Sequence, residues 1–293
     1  MSALVNLLLG GVFHGAVLFL VAGGLQLVFG VQKILNLACG SFYALGAYFG
    51  ITLVTASLAV GVPGVLLLPE LLLAGLIMAA IGPPNERLLR TTYDRDESFQ
   101  LLLTFALLLM FQDVFRFVWG ANPRSLDTGY LVYGKLSAGD LSVPVYNLLV
   151  IASALAAAIG IGAFLRRSNY GRLLRATAEN RTMAEALGVN VRSVYSVVFT
   201  LGTLLGTIGG ALVIPTAAAS LEMSVDVVIE AFAVVVIGGL GSMAGALVGS
   251  LLVGLISAAS LVFYPEFEIP AIYLIVIAVL LLRPSGLLGK PAP

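Results

Sequence analysis

The 293-residue chain is 60% hydrophobic and only 10% charged, with a mean hydropathy of +1.07. Soluble domains carry roughly a quarter charged residues, so a water-soluble fold of this length is excluded and lipid is the implied solvent. Lys plus Arg (15) equals Asp plus Glu (15), leaving no basic surplus for a nucleic-acid partner, and the lone cysteine, Cys39, rules out an internal disulfide.

A helix needs roughly 20 apolar residues to cross ~30 Å of hydrocarbon. Runs that meet or approach this length fall at 7–30, 41–60, 64–82, 98–119, 145–166, 193–214, 226–240, 244–264 and 269–283. The expected fold is all-α: a polytopic transmembrane helical bundle of about eight or nine segments, one domain over 1–293. The first run has no basic residues before it and no A-x-A-like cleavage site, so it reads as a retained span. It holds the one histidine, His14, which reads as a packed or interhelical hydrogen-bonding residue. A short polar piece, Gln32 to Asn36, leads to the second span, where Cys39 reads as a small packing residue. Glu70 falls in the third span.

Arg87, Arg90 and Arg95 in 83–97 mark a cytoplasmic loop. On the fourth span Asp113 and Arg116 lie three apart and are expected to pair. The loop 120–143 has only Arg124 and Lys135, whereas 166–192 carries Arg166, Arg167, Arg172, Arg175, Arg181 and Arg192 and is expected in the cytoplasm. Gly202, Gly206 and Gly210 line one helix face, and Gly241, Gly245 and Gly249 are expected to do the same, for close helix packing. Glu222, Glu266 and Glu268 occupy outer loops without Lys or Arg, and Glu230 lies in the short segment 226–240. That segment ends in Gly238-Gly239-Leu240-Gly241-Ser242, which reads either as a broken helix beside a transport path or as a plain turn. The tail with Lys290 places the C-terminus in the cytoplasm and, counting back, the N-terminus outside.

Catalytic and cofactor chemistry is missing. No phosphate-binding G-x-x-x-x-G-K-[ST], H-E-x-x-H, Cys/His cluster or G-x-S-x-G occurs, so neither a metal site nor an enzyme is expected. Few charges lie within the spans, and no chain of carboxylates like that of a proton-coupled carrier is present.

The segment 167–192 is the most specific feature. Thr182 and Glu185 have capping-box spacing, which predicts a short helix starting at Thr182, and Gly188 suits its C-terminal end. Met183 and Leu187 fall four apart on one face. A short surface helix of this kind suits docking into a groove on another protein; the other reading is a basic loop against anionic lipid.

Ala184-Glu185-Ala186-Leu187-Gly188 resembles the coupling loop by which the permeases of ABC importers engage their ATPases. With Arg175 to Asn180 and Gly188 to Asn190 it resembles the version in LivH-type permeases of branched-chain amino acid importers. Gly24 to Val31 and Asn36 to Tyr48 resemble that family's first block, and Ala231 to Ser242 its last. The chain departs from the pattern at Cys39 and Glu230, where the family usually has His and a basic residue. The resemblance implies a bacterial inner-membrane importer subunit for a branched-chain or related amino acid, or for an amide, urea or small carboxylate. It implies a LivM-like second permease, two LivG- and LivF-like ATPase subunits that hold ATP and Mg, and a periplasmic substrate-binding protein. Arg175, Arg181, Thr182, Ala184, Glu185, Ala186, Leu187 and Gly188 would then couple to the ATPase. Gln26, Asn36, Cys39, Tyr43, Glu230, Gly238, Gly239, Gly241 and Ser242 would lie near the translocation path. The rival classes are a stand-alone secondary transporter or channel and a non-transporting membrane scaffold.

Overall fold

The computed structural model describes residues 2–93, 95–126, 132–138 and 141–289. Lys290, on which part of the orientation rests, lies outside the described residues. Twelve α-helices dominate those residues. They are α1 (Ser2–Gln32), α2 (Cys39–Ala59), α3 (Leu67–Met78), α4 (Gly82–Leu89), α5 (Glu97–Trp119) and α6 (Val145–Arg167). The remainder are α7 (Asn169–Glu179), α8 (Arg181–Ala186), α9 (Val191–Val213), α10 (Met223–Gly238), α11 (Met243–Phe263) and α12 (Glu268–Leu282). Before α6 an antiparallel hairpin pairs β1 (Lys135–Ala138) with β2 (Leu141–Pro144), Leu136 opposite Val143. Eight helical stretches are long and apolar enough to span a bilayer. The protein is therefore a multi-pass membrane protein of the all-α class.

The third stretch runs from Gly64 to Thr92, well past the expected end at residue 82. Pro83 and Pro84 stand in the first turn of α4, where a missing N–H breaks no helical bond, so the chain continues as helix into the arginine-bearing segment. The segment expected at 226–240 is α10, whose 16 residues reach ~24 Å, short of the hydrocarbon thickness. It starts three residues earlier and stops at Gly238 because Gly239 has φ +98°.

Helix α9 is the hub, packed against α1, α2, α3 and α4. Some 61% of its most apolar stretch is buried, against 6% for the stretch that contains α12. The glycine stripe explains its place. A Cβ on Gly202 would press on Val28 and the Gly24 carbonyl, one on Gly206 would meet the Cys39 carbonyl, and one on Gly210 would collide with that of Tyr43. In return, Gly46 of α2 meets the backbone of Thr207. Lipid gives helices no hydrophobic reason to associate, so this backbone approach supplies the packing energy.

The second expected stripe is only partly a helix face. Gly241, at φ +83°, lies in the turn before α11, so Gly245 and Gly249 pack instead on Gly238 and the Val234 carbonyl of α10. Asp113 and Arg116 do not pair: among the described residues the charged contacts are Arg90–Glu86, Arg181–Glu185 and His14–Glu230. Both side chains point away from the rest of the chain, and helical spacing permits a pair without requiring one.

Candidate docking helix and translocation face

The segment 167–192 folds as three capped helices. Ser168 accepts from the Gly171 N–H at 2.8 Å to start α7, and Asn180 accepts from the Met183 N–H at 2.9 Å to start α8. Asn190 accepts from the Ser193 N–H at 3.2 Å to start α9. The cap of α8 is thus Asn180 and not Thr182, whose side chain is exposed. The capping box does not form because Glu185 turns to Arg181, one turn back, at 3.1 Å.

The C-terminal end of α8 forms as the glycine predicts. Gly188 takes φ +83°; its N–H bonds the Glu185 carbonyl at 3.0 Å and the Val189 N–H bonds that of Ala184 at 3.0 Å. This pair of bonds is a Schellman motif, which satisfies two orphan carbonyls and stops the helix sharply. Ala184 is buried and anchors α8, while Met183 (58% exposed) and Leu187 (78% exposed) present apolar surface that the described residues leave uncovered. Arg175, Thr182 and Ala186 are exposed nearby.

The residues expected near the path divide into two groups. The first gathers at the α10–α11 turn. The Gln26 amide donates to the Gly239 carbonyl at 2.5 Å and to the Ser242 carbonyl at 3.0 Å, across more than 200 residues. Ser242 caps α11 by accepting from Gly245 N–H at 3.0 Å. The tail closes the same turn: the N–H groups of Leu287 and Leu288 bond the Ile237 and Gly238 carbonyls at 2.8 and 3.0 Å. The backbone freed by the glycine break is therefore satisfied within the protein.

The second group is Asn36, Cys39 and Tyr43, at the start of α2. Asn36 is buried and its side chain accepts from the Ala38 N–H at 3.1 Å, ordering the non-helical link after Lys33, which has φ +60°. Cys39 and Tyr43 are buried against the α9 glycines. Glu230 belongs with neither group. It approaches His14 of α1 at 3.2 Å, so His14 has an interhelical partner 216 positions along the chain. Glu222, Asp226 and Glu230 recur every four residues and run down one face of α10, with the first two exposed. The i, i+4, i+8 spacing was visible in the sequence; the approach of His14 was not.

A family model described as "Branched-chain amino acid transport system / permease component" matches residues 7–283. The chain belongs to that family. This permease is 27% identical over 303 residues to the high-affinity branched-chain amino acid transport system permease protein BraD of Pseudomonas aeruginosa, covering 97% of the chain and 95% of the relative. It is 27% identical to the permease protein LivH of Escherichia coli, over 96% of the chain and 94% of the relative. A probable branched-chain amino acid transport permease protein LivH of Methanocaldococcus jannaschii is 26% identical, over 96% and 91%.

Proposed function

We propose that this permease forms one transmembrane half of an ATP-driven importer for branched-chain or closely related amino acids in a bacterial inner membrane, with its C-terminus in the cytoplasm. A LivM-like permease would complete the pore, two LivG- and LivF-like ATPases would bind ATP and Mg, and a periplasmic binding protein would deliver the solute. The observation that carries the reading is α8: a short helix fixed by Asn180 and Gly188 that leaves Met183 and Leu187 uncovered. Such a helix transmits a push only when something grips its apolar side, and a chain without a phosphate-binding loop needs an external engine. ATPases that bind inward- and outward-facing states with different affinity would shift the population between them. The exposed acidic face of α10, with His14, Asn36, Cys39, Tyr43 and the 238–242 turn, is the proposed path side of this half.

Co-expression with the candidate ATPases and pull-down of the permease tests the assignment. Wild type should retain an ATPase, and Met183→Asp with Leu187→Asp should release it while the permease stays in the membrane. Solute uptake by the purified chain alone, driven by an ion gradient, would overturn the reading in favour of a carrier or channel.

A further inference from the structure

A cavity of about 650 Å³ lies where the third span ends and α9 begins. Arg90, Tyr93, Arg181, Glu185, Arg192 and Tyr195 supply its polar and aromatic walls. We propose that this cavity binds the phosphate group of an anionic phospholipid and so anchors the inner side of α8 to the bilayer.

The first support is position. Arg90 and Tyr93 stand at the end of the stretch Gly64–Thr92, and Arg192 and Tyr195 in the first turns of α9. That is the level at which apolar span gives way to polar chain, where headgroups and amphipathic aromatic rings meet. Tyr93 and Tyr195 pack edge to face at 5.3 Å. Leu88, two residues before Arg90, is exposed and offers apolar surface to acyl chains.

The second support is the balance of donors and charge. Arg90 holds the fully buried Glu86 with two bonds, Nε to Oε1 at 3.2 Å and Nη2 to Oε2 at 2.6 Å, which leaves further guanidinium N–H groups unspent. Arg181 pairs with Glu185 and lies 5.8 Å over the Tyr195 ring. Arg192 is exposed and has no carboxylate partner among the described residues. Among the described residues, Arg192 is thus the cation left over beside the Arg90–Glu86 and Arg181–Glu185 pairs. That surplus matches a phosphodiester, which carries a single negative charge and two oxygens that accept from guanidinium forks. Basic pockets at the ends of membrane helices are a recurrent way of holding such headgroups.

The third support is the geometry of α8. At 100° per residue, Arg181 and Glu185 lie on roughly the opposite side from Met183 and Leu187. A headgroup in the cavity would touch the charged side and leave the apolar side free, so lipid and a protein partner would grip different faces of one helix.

The test is native mass spectrometry of the delipidated full-length protein with phosphatidylglycerol or phosphatidylcholine, together with Arg192→Gln, Arg192→Glu and Arg166→Gln. Wild type should retain phosphatidylglycerol in preference to phosphatidylcholine. Arg192→Gln should weaken retention about fivefold and Arg192→Glu abolish it, while Arg166→Gln, an arginine outside the cavity, should match wild type. Equal retention by wild type and Arg192→Glu would overturn the proposal. So would equal retention of the two lipids, complete displacement by inorganic phosphate, or loss of the lipid on binding an ATPase, which would give the cavity to a soluble anion or a protein.

Discussion

Replacing Gly188 isolates what the end of α8 contributes. Its φ of +83° lies in the left-handed region, and an added Cβ would meet nothing within 4 Å, so within this chain the effect is conformational. Holding a residue with a Cβ there costs about 1–2 kcal/mol. A Gly-to-Ala change at such a φ is destabilising overall, because the strain outweighs the loss of unfolded-chain freedom. A net loss of about 1 kcal/mol on a six-residue helix lowers the ratio of its ordered to its disordered form about fivefold. Asn tolerates the left-handed region and should lose less; Val, branched at Cβ, should lose more. The readout is stimulation of ATP hydrolysis by loaded binding protein in proteoliposomes, with permease abundance measured alongside. Stimulation should fall in the order Gly, Asn, Ala, Val, while abundance stays level because α8 lies outside the candidate spans. Val performing like wild type, or abundance falling in step with stimulation, would refute the conformational argument.

Gly46→Ala should prevent α2 and α9 from closing, since its Cβ would collide with the Thr207 backbone, and detergent-solubilised yield should drop sharply; Gly160→Ala on α6 meets nothing within 4 Å and should be neutral or raise the melting temperature slightly. Gln26→Leu strips a donor from the carbonyls of Gly239 and Ser242, at about 1–3 kcal/mol of stability. Limited proteolysis should then cut near 238–242 faster than in wild type, and an unchanged pattern would count against the role of Gln26. Burial, and then the Glu86 carboxylate beside it, push the Tyr93 phenol above its ordinary value. Its stabilising contribution is therefore full below about pH 10 and fades as pH rises toward the folded-state value. Difference absorbance between wild type and Tyr93→Phe should show no Tyr93 phenolate at about pH 10, and a phenolate signal there would contradict the burial.

Much of the architecture is written in local pattern. Apolar runs of bilayer length set the spans, because in lipid a backbone must satisfy itself as helix. Gly202, Gly206 and Gly210 announced a packing face, and Gly188 announced the end of α8, because a missing Cβ has consequences at the residue itself. The cap of α8 lies two residues before the expected one: Asn180 and Thr182 are both competent caps, and the choice depended on Glu185 pairing with Arg181 rather than with the helix N-terminus. The end of the third span was misjudged because proline in a first turn continues a helix that proline elsewhere would break.

Only the tertiary structure brought His14 to Glu230, Gln26 to the Gly239 and Ser242 carbonyls, and the tail amides to the end of α10. These partners lie on different helices, and helical periodicity states which face a residue occupies but not which helix lies opposite. Arg90 and Arg192 likewise meet across one cavity because α4 packs against α9. The one-dimensional chain thus determined which segments enter the membrane and where they stop. The lateral order of those segments, set by which backbones fit closest, decided which polar groups share a site.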